Sequence, residues 1–314
     1  MTGPAVVVVT HDSRDDVLGC LATIDAASEV VVVDCGSTDG TPDAVRAADR
    51  RARVLELDNA GFGRGANAGV RAVRHAPVVV VCNADVRFGP GAIRRLHQAF
   101  AAPDVGAAGP RVRYPSGESQ ASARRVPGPA VIVGHALLGR AWPTNRWTRA
   151  YHGPSMSDGP RDADWLSGCA VALRRRAFDD VDGFDPGYFL YAEDVDLGTR
   201  LRAAGWRLRF VPDALVTHAV AAATDRRPFR RLVTHARSLD RYHRLHHRSV
   251  AARLSRPLVR LGLVGWVALS AVVRRVGPSG RSATGERAGG SDRRDGRDGR
   301  ERRDGRSARH GNGA

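Results

Sequence analysis

From the amino terminus, the chain alternates short runs that are apolar at every position with longer segments in which apolar residues recur every three or four. Residues 5–9 (AVVVV), 30–33 (VVVV) and 78–82 (VVVVC), with the shorter 54–57, form the first kind. The segments 16–27, onward from about Pro42, 64–75 and 89–100 form the second. A strand with one wet face alternates apolar and polar residues, whereas a run apolar throughout is covered on both faces. Such runs separated by helix-length segments predict an α/β domain with a doubly wound, mostly parallel sheet and flanking helices. Thr41-Pro42 and Gly89-Pro90-Gly91 add helix-start signals.

The regularity lapses over 111–162, rich in Pro, Gly and Ser and containing Trp142 and Trp147. That composition predicts a long, partly mobile loop region of the kind that carries function. Order returns with 165–173 as one strand, a helix over 194–204 ended by Gly205, and a last strand over 207–211. From Asp225 the texture changes. Phe229, Leu232, Val233, Ala236, Leu239, Tyr242 and Leu245 recur at helical spacing among Arg and His, the pattern of a basic amphipathic helix. Residues 261–273 carry no charge between Arg260 and Arg274. At about 1.5 Å per residue they span roughly 20 Å, short of a hydrocarbon core of roughly 30 Å, so they predict an interfacial or re-entrant anchor. From Gly277 the chain is Arg, Gly, Asp and Ser with almost nothing apolar, and disorder is expected. The textures divide the chain into 1–223, with halves of about 1–110 and 160–223, then 224–276 as membrane-associating helices, then the tail 277–314.

The charge sharpens this division. The formal net charge is +16, and all 49 basic residues are Arg. Residues 1–223 carry a net +1, 224–276 a net +11 and 277–314 a net +4. A nucleic-acid-binding reading would therefore rest on the last third alone. The Leu, Val and Phe interleaved with its arginines favour an anionic membrane surface instead. Cys20, Cys35, Cys82 and Cys169 form no C-x-x-C pair, and they read as reduced core or site-edge residues rather than zinc ligands or bridges. The first residues carry no basic region and only a short apolar run, so no signal peptide is expected.

Ligands of open α/β sheets bind beyond the carboxyl ends of the strands. Thr10-His11-Asp12, the run from Asp34 to Thr41, and Asn83-Ala84-Asp85 follow three strands and predict one acidic crevice. Asn83 and Asp85 offer two hard oxygen ligands, suited to Mg²⁺ or Mn²⁺ on a diphosphate, although both are also turn formers. Gly63-Arg64-Gly65-Ala66-Asn67-Ala68 matches G-x-G-x-x-A, with Asp85 20 residues after Gly65, and raises an NAD-binding Rossmann alternative. The loop 58–62 between strand and motif, and the motif's third place in the sheet, count against it. The densest acidic cluster ends in Glu193-Asp194-Val195-Asp196 and follows Tyr188-Phe189-Leu190-Tyr191. An apolar wall raises carboxyl pKa and makes a base competent, while acids also suit a helix start. Both hold if Glu193 and Asp196 are structural and Asp194 is the chemical group.

These segments together carry a resemblance. Val6 to Thr10, the stretch from Glu29 through Asp34-Cys-Gly-Ser-Thr-Asp39-Gly-Thr41, Asn59-Ala-Gly61-Phe62-Gly-Arg-Gly-Ala-Asn67-Ala-Gly69, Val81-Cys-Asn83-Ala-Asp85, Trp165-Leu-Ser-Gly168, Gly183-Phe184-Asp185, and Glu193-Asp194-Val-Asp196-Leu with Pro212 and His218 stand in order. Together they resemble the family 2 glycosyltransferases of the GT-A fold, close to the rhamnosyltransferase-like branch, over roughly residues 5–248. The resemblance implies inverting, metal-dependent transfer from a nucleotide-sugar donor, dTDP-rhamnose in that branch. The implied acceptor is a polyprenyl-linked glycan or polysaccharide of the cell envelope, met at the inner face of the plasma membrane by a cytoplasmic, peripheral enzyme. It further implies that Thr10, Asp34, Asp39, Asn67 and Asp85 meet the nucleotide. In the same way Asn83, Asp85 and His218 hold Mg²⁺ or Mn²⁺, Trp165, Gly168 and Glu193 lie beside the sugars, and Asp194 is the general base. His11-Asp12 departs from the family's Tyr-Asn, and Asn83 from an acidic first position.

Overall fold

The valine runs become β1 (Ala5–Thr10), β2 (Glu29–Cys35), β3 (Ala52–Leu57) and β4 (Val78–Asn83), joined by α1 (Arg14–Leu21), α2 (Thr41–Ala48) and α3 (Phe62–Ala72). The computed structural model describes residues 3–25, 27, 29–126, 138, 142, 144–152, 159–219 and 228–276. The chain continues through β5 (Val86–Phe88), α4 (Ala92–Gln98), β6 (Val105–Arg113), β7 (Ser119–Gln120), β8 (Ala123–Arg124), α5 (Arg146–His152), β9 (Arg161–Ala163) and β10 (Trp165–Leu166). It then forms β11 (Ala170–Arg174), α6 (Arg175–Asp180), α7 (Glu193–Ala203), β12 (Arg207–His218), α8 (Pro228–His246) and α9 (Val250–Val276). The main sheet runs β3-β2-β1-β4-β11-β6-β12-β5, with β7 beside β6 and β9 beside β12. β3, β2, β1 and β4 are mutually parallel, as are β6 and β12, while β11 is antiparallel to both its neighbours.

The apolar runs are explained by two cores. Val6 and Val8 face one, with Val17, Leu21, Ile93 and Leu96 from α1 and α4. Val7 and Val9 face the other, with Val70, Phe178, Phe184 and Leu201. Successive side chains of a strand point to opposite faces, so a sheet covered on both sides needs every position apolar.

Four expectations change. The single strand over 165–173 is two: β10 pairs with β8 in a separate two-stranded sheet, and β11 enters the main sheet, the chain turning between them at Gly168. The last strand does not stop at 211 but continues to His218. A register shift between Val211 and Leu215 absorbs Pro212, which has no N–H for the ladder. Within the supposed loop 111–162, the first residues finish β6, and Ser119–Gln120 and Ala123–Arg124 are paired strands. The uncharged 261–273, expected as an interfacial or re-entrant anchor, does not form an element of its own but continues the 27-residue α9, which has Pro257 inside it. The tail expected to be disordered, and most of 127–158, lie outside the described residues.

The basic amphipathic helix α8 packs on the segment that leads into α7. Arg241 pairs with Asp185 at 2.7 Å, His246 Nε2 lies 2.7 Å from Asp196 Oδ1, and Ser238 Oγ donates to the Leu190 carbonyl at 2.8 Å. Asp196 also takes Arg200 at 2.7 Å, so this buried acid ties α7 to α8. Among the described residues no helix is long and apolar enough to cross a membrane.

Candidate active site

The parallel register sets the crevice. Thr10 stands opposite Asp34 and Val9 opposite Asn83, so the ends of β2, β1 and β4 come level. Thr10 and Asp34 are buried, and Thr10 Oγ1 and Asp34 Oδ1 have no hydrogen-bond partner, whereas Asp34 Oδ2 accepts the Ser37 N–H at 2.9 Å. Each unpaired buried polar atom costs about 1–3 kcal/mol, a cost that ligand contacts offset. The two flanking loops are stitched together. Asp12, at φ +46°, donates its N–H to Ser37 Oγ (2.8 Å) and accepts the Thr38 N–H (2.7 Å). Asp39 accepts from the Thr41 N–H (3.0 Å), the Thr41 hydroxyl and the Arg14 N–H (3.2 Å), which fixes the starts of α1 and α2. Burial works to raise its pKa, but these hydrogen bonds outweigh it and hold the carboxyl below the ordinary range.

Asn67, also buried, mimics a strand partner. Its Nδ2 donates to the Phe184 carbonyl at 2.8 Å, and its Oδ1 accepts the Phe184 N–H at 2.9 Å. The glycines around it lie inside α3 rather than in a turn. A Cβ on Gly65 would stand 2.9 Å from Cys35 Sγ, and one on Gly69 would stand 2.3 Å from Val7 Cγ1, so these glycines let helix and sheet approach. That packing accounts for the G-x-G-x-x-A match without a dinucleotide.

At the end of β4, His218 from β12 meets Asp85. Its Nε2 lies 3.2 Å from Asp85 Oδ1 and 3.4 Å from Asn83 Nδ2, and its Nδ1 lies 3.0 Å from Gln120 Oε1 on β7. With Nδ1–H donating to Gln120, Nε2 carries the lone pair. It then faces a carboxylate oxygen, an arrangement that calls for a proton or a cation between them. The donor set, a hard carboxylate and an oriented imidazole, fits Mg²⁺ or Mn²⁺. Asn83 turns its amide nitrogen toward the imidazole. Nearby, burial and then the charge of Asp85 raise the Asp16 pKa, as expected where acids crowd. Among the described residues no cluster of three or more His, Cys, Asp or Glu is placed to hold a metal. Further ligands would have to come from a bound diphosphate or water.

Asp194 adjoins this pair through a short path. The Asn83 N–H donates to the Cys169 carbonyl at 2.9 Å, and the neighbouring Gly168 N–H donates to Asp194 Oδ2 at 2.9 Å. Burial first, and then the charges of Asp194 and Asp85, push the Cys169 thiol up to about 12, while a hydrogen bond from Ser167 works against them. All four cysteines are buried and free. A Cβ on Gly168 would come to 3.3 Å from Asp194 Cβ, tighter than an ordinary contact. Asp194 Oδ1 accepts the Val195 N–H at 2.8 Å, so two main-chain donors aim this partly buried carboxyl at the start of α7. Its pKa is nevertheless raised, burial outweighing those hydrogen bonds. Trp165, half-buried, lies in β10 just before the β10–β11 connection, with the Arg124 guanidinium 5.7 Å from its ring centre.

Glu193 is 6 % exposed, and its Oε2 has no hydrogen-bond partner. Burial, then the charge of Asp194, holds its pKa well above the ordinary 4.5. Between that value and the raised one, the folded protein keeps a proton that the unfolded chain has released, so stability falls as pH rises through the window. The slope is about 1.4 kcal/mol per pH unit. Thermal melts of the wild type should therefore drop relative to Glu193→Gln between about pH 5 and pH 8. Parallel curves for the two proteins would refute a neutral Glu193.

Two features escaped sequence reasoning. Tyr191 and Ala192, immediately before Glu193, both adopt left-handed backbone (φ +71° and +61°), and each such non-glycine residue costs about 1–3 kcal/mol. Gln120, the partner of His218, sits in a segment without periodicity.

Residues 3–252 match the family described as glycosyltransferase like family 2. The N-acetylglucosaminyl-diphospho-decaprenol L-rhamnosyltransferase of Mycobacterium tuberculosis is 39% identical over 251 residues, covering 74% of this chain and 81% of the relative. Rhamnosyltransferase WbbL of Escherichia coli (strain K12) is 51% identical over 49 residues, 16% of this chain and 19% of that protein. Among solved structures, the mannosyltransferase PcManGT of Pyrobaculum calidifontis, in complex with GDP-Man and Mn²⁺, superposes with a TM-score of 0.55 at 21% identity. The match covers 87% of this chain and 75% of that one, a likeness of fold.

Proposed function

The chain belongs to the family described as glycosyltransferase like family 2 and is a glycosyltransferase, and from that premise we propose that it transfers rhamnose from dTDP-rhamnose, with inversion, to an N-acetylglucosaminyl-diphospho-polyprenol. The product is a lipid-linked intermediate of cell-envelope polysaccharide. The observation that carries the reading is Asp194, aimed by two main-chain donors and adjoining the Asp85–His218 pair through Cys169.

In the proposed reaction an acceptor hydroxyl oxygen attacks the anomeric carbon from the face opposite the leaving group. The bond from that carbon to the diphosphate oxygen breaks, and Asp194 takes the hydroxyl proton. A carboxyl whose pKa lies above the ordinary range is a stronger base than a solvated one. The Gly168 and Val195 N–H groups hold the Asp194 carboxyl in place at the start of α7 for that proton transfer. The unpaired Thr10 Oγ1 and Asp34 Oδ1 suit the donor groups of a nucleoside, and Asp39 and Asn67 hold the loop and the helix that frame it. Trp165, Gly168 and Glu193 border the sugar side. Asp85 and His218 would hold Mg²⁺ or Mn²⁺, with Asn83 and Gln120 orienting the imidazole. Bound there, the ion would offset the charge of the nucleoside diphosphate.

The acceptor's lipid implies a membrane. Val250, Leu254, Leu258, Leu261 and Val264 lie along α9 and are each at least 66% exposed, with Arg253 and Arg256 among them. This apolar and basic helix supports peripheral attachment to an anionic surface at the cytoplasmic face. The test presents N-acetylglucosaminyl-diphospho-decaprenol in vesicles of anionic or neutral lipid, with dTDP-rhamnose, UDP-glucose or GDP-mannose and Mg²⁺ or Mn²⁺. The expected outcome is rhamnosyl transfer from dTDP-rhamnose alone, faster on the anionic vesicles. Transfer from another donor would overturn the donor assignment, and equal rates on both vesicles the surface assignment.

A further inference from the structure

A groove of about 1020 Å³ lies between α8 and α9. Its walls are apolar, formed by Phe189, Phe229, Val233, Leu263, Val264 and Val267. Five arginines also line it, and they fall into two groups. Arg241 is matched by Asp185, and Arg244 and Arg260 are both matched by Asp240. Arg230 and Arg237 are exposed and have no acidic partner among the described residues. They stand seven residues apart, about two turns, and so share one face of α8.

A ligand that fits these walls is a long hydrocarbon with a compact anionic head, since the groove supplies a strip of apolar side chains and two uncompensated guanidinium groups. Guanidinium groups bind phosphate through paired N–H donors, and two along one face suit a diphosphate. The inner wall is continuous with the site. The Phe189 carbonyl accepts the Phe62 N–H at 3.0 Å, Ser238 of α8 donates to the Leu190 carbonyl at 2.8 Å, and four residues later comes Asp194. A diphosphate on Arg230 and Arg237 would leave its sugar directed along that segment.

We propose that the α8–α9 groove seats the isoprenoid chain of the acceptor, with Arg230 and Arg237 on its diphosphate. The inference rests on the lipid-linked acceptor proposed above. It assigns the acceptor lipid to a groove in the protein itself, beside the apolar stripe of α9 and sharing only Val264 with it.

The test uses the full chain and a benzophenone-tagged geranyl diphosphate. Photolabelling is expected on peptides of α8 and α9 and is expected to be displaced by N-acetylglucosaminyl-diphospho-decaprenol. In parallel, kcat/KM is measured for that acceptor and for its geranyl analogue in the wild type, in Arg230→Ala/Arg237→Ala and in Ala236→Trp, which fills the groove. The preference for the long chain should fall by about tenfold in Ala236→Trp, and labelling should weaken by about tenfold in the double alanine variant. Label confined to other peptides would overturn the groove. So would an undiminished long-chain preference in Ala236→Trp together with undiminished labelling of the double variant, whose exposed side chains make misfolding no explanation. Failure of all sugar transfer with labelling still on α8 and α9 would overturn the proposed reaction and leave the groove as a lipid-diphosphate site.

Discussion

Asp194→Asn is expected to lower kcat for sugar transfer by about 10²–10⁴-fold, the range that a positioned general base contributes. The substitution preserves shape. One side-chain oxygen can still accept the Gly168 N–H (2.9 Å in the wild type), but the amide nitrogen then meets the Val195 N–H donor-to-donor. The larger effect is chemical, since an amide cannot take the acceptor's proton. Donor binding should be nearly unaltered, because Thr10, Asp34 and Asp85 sit on β1, β2 and the β4–β5 turn rather than on α7. Two measurements separate these effects: dTDP affinity by calorimetry, and single-turnover transfer. A variant that keeps a tenth of wild-type turnover would remove Asp194 from the role of base. A variant that loses dTDP binding would show that the carboxyl shapes the nucleotide pocket.

The pH profile follows the same logic. Burial raises the Asp194 pKa, so the active, ionised form is gained above the ordinary carboxylate range rather than within it. The acidic limb of kcat/KM in the wild type should lie above the usual aspartate value, and Asp194→Asn should have no such limb.

The parts of this fold that were legible in the sequence are those buried on both sides. Val6 and Val8 reach one core and Val7 and Val9 the other, and that symmetry writes an unbroken apolar run. β6 is just as central, between β11 and β12, yet its residues read V-G-A-A-G-P. The structure explains why. A Cβ on Gly106 would stand 2.7 Å from Trp206 Cβ, and one on Gly109 would stand 2.7 Å from Leu166 Cδ2. Large neighbours fill the space, so the strand is built from small residues and loses the pattern that periodicity detects. The acidic strand ends were legible for a related reason, since parallel register brings Thr10, Asp34 and Asn83 level wherever three such strands adjoin.

Contacts made by tertiary pairing alone were not legible. Gln120 and His218 are 98 residues apart, and they meet because β7 and β12 flank β6 on either side. The excess positive charge was located in the sequence, but its partition was not. Arg241, Arg244 and Arg260 are spent on Asp185 and Asp240, which leaves Arg230 and Arg237 as the groove's cations without an acidic partner among the described residues. A helical pattern gives the face on which an arginine lies and says nothing of the acid across from it.

Removal of divalent cations is expected to abolish transfer, with Mg²⁺ or Mn²⁺ restoring it, and the Asp85–His218 pair is the reason. With Nδ1–H donating to Gln120 Oε1, the His218 imidazole would present a lone pair at Nε2 to Asp85 Oδ1 across 3.2 Å, a repulsive arrangement unless a cation or proton is shared. A metal-binding role and a protonated ion pair therefore make opposite predictions. If the pair holds metal, Asp85→Asn should lower kcat/KM by about 10² or more, and dTDP affinity should lose its dependence on Mn²⁺. Gln120→Leu removes only the orienting acceptor and should weaken Mn²⁺ dependence by about 10–100-fold, as outer partners of ligating histidines commonly do. If instead the pair is an ion pair that braces β12 against the β4–β5 turn, chelation should leave both turnover and dTDP binding unchanged. His218→Ala should then lower the melting temperature without altering the response to Mn²⁺. Titrating dTDP into the wild type with and without EDTA distinguishes the two before any turnover is measured.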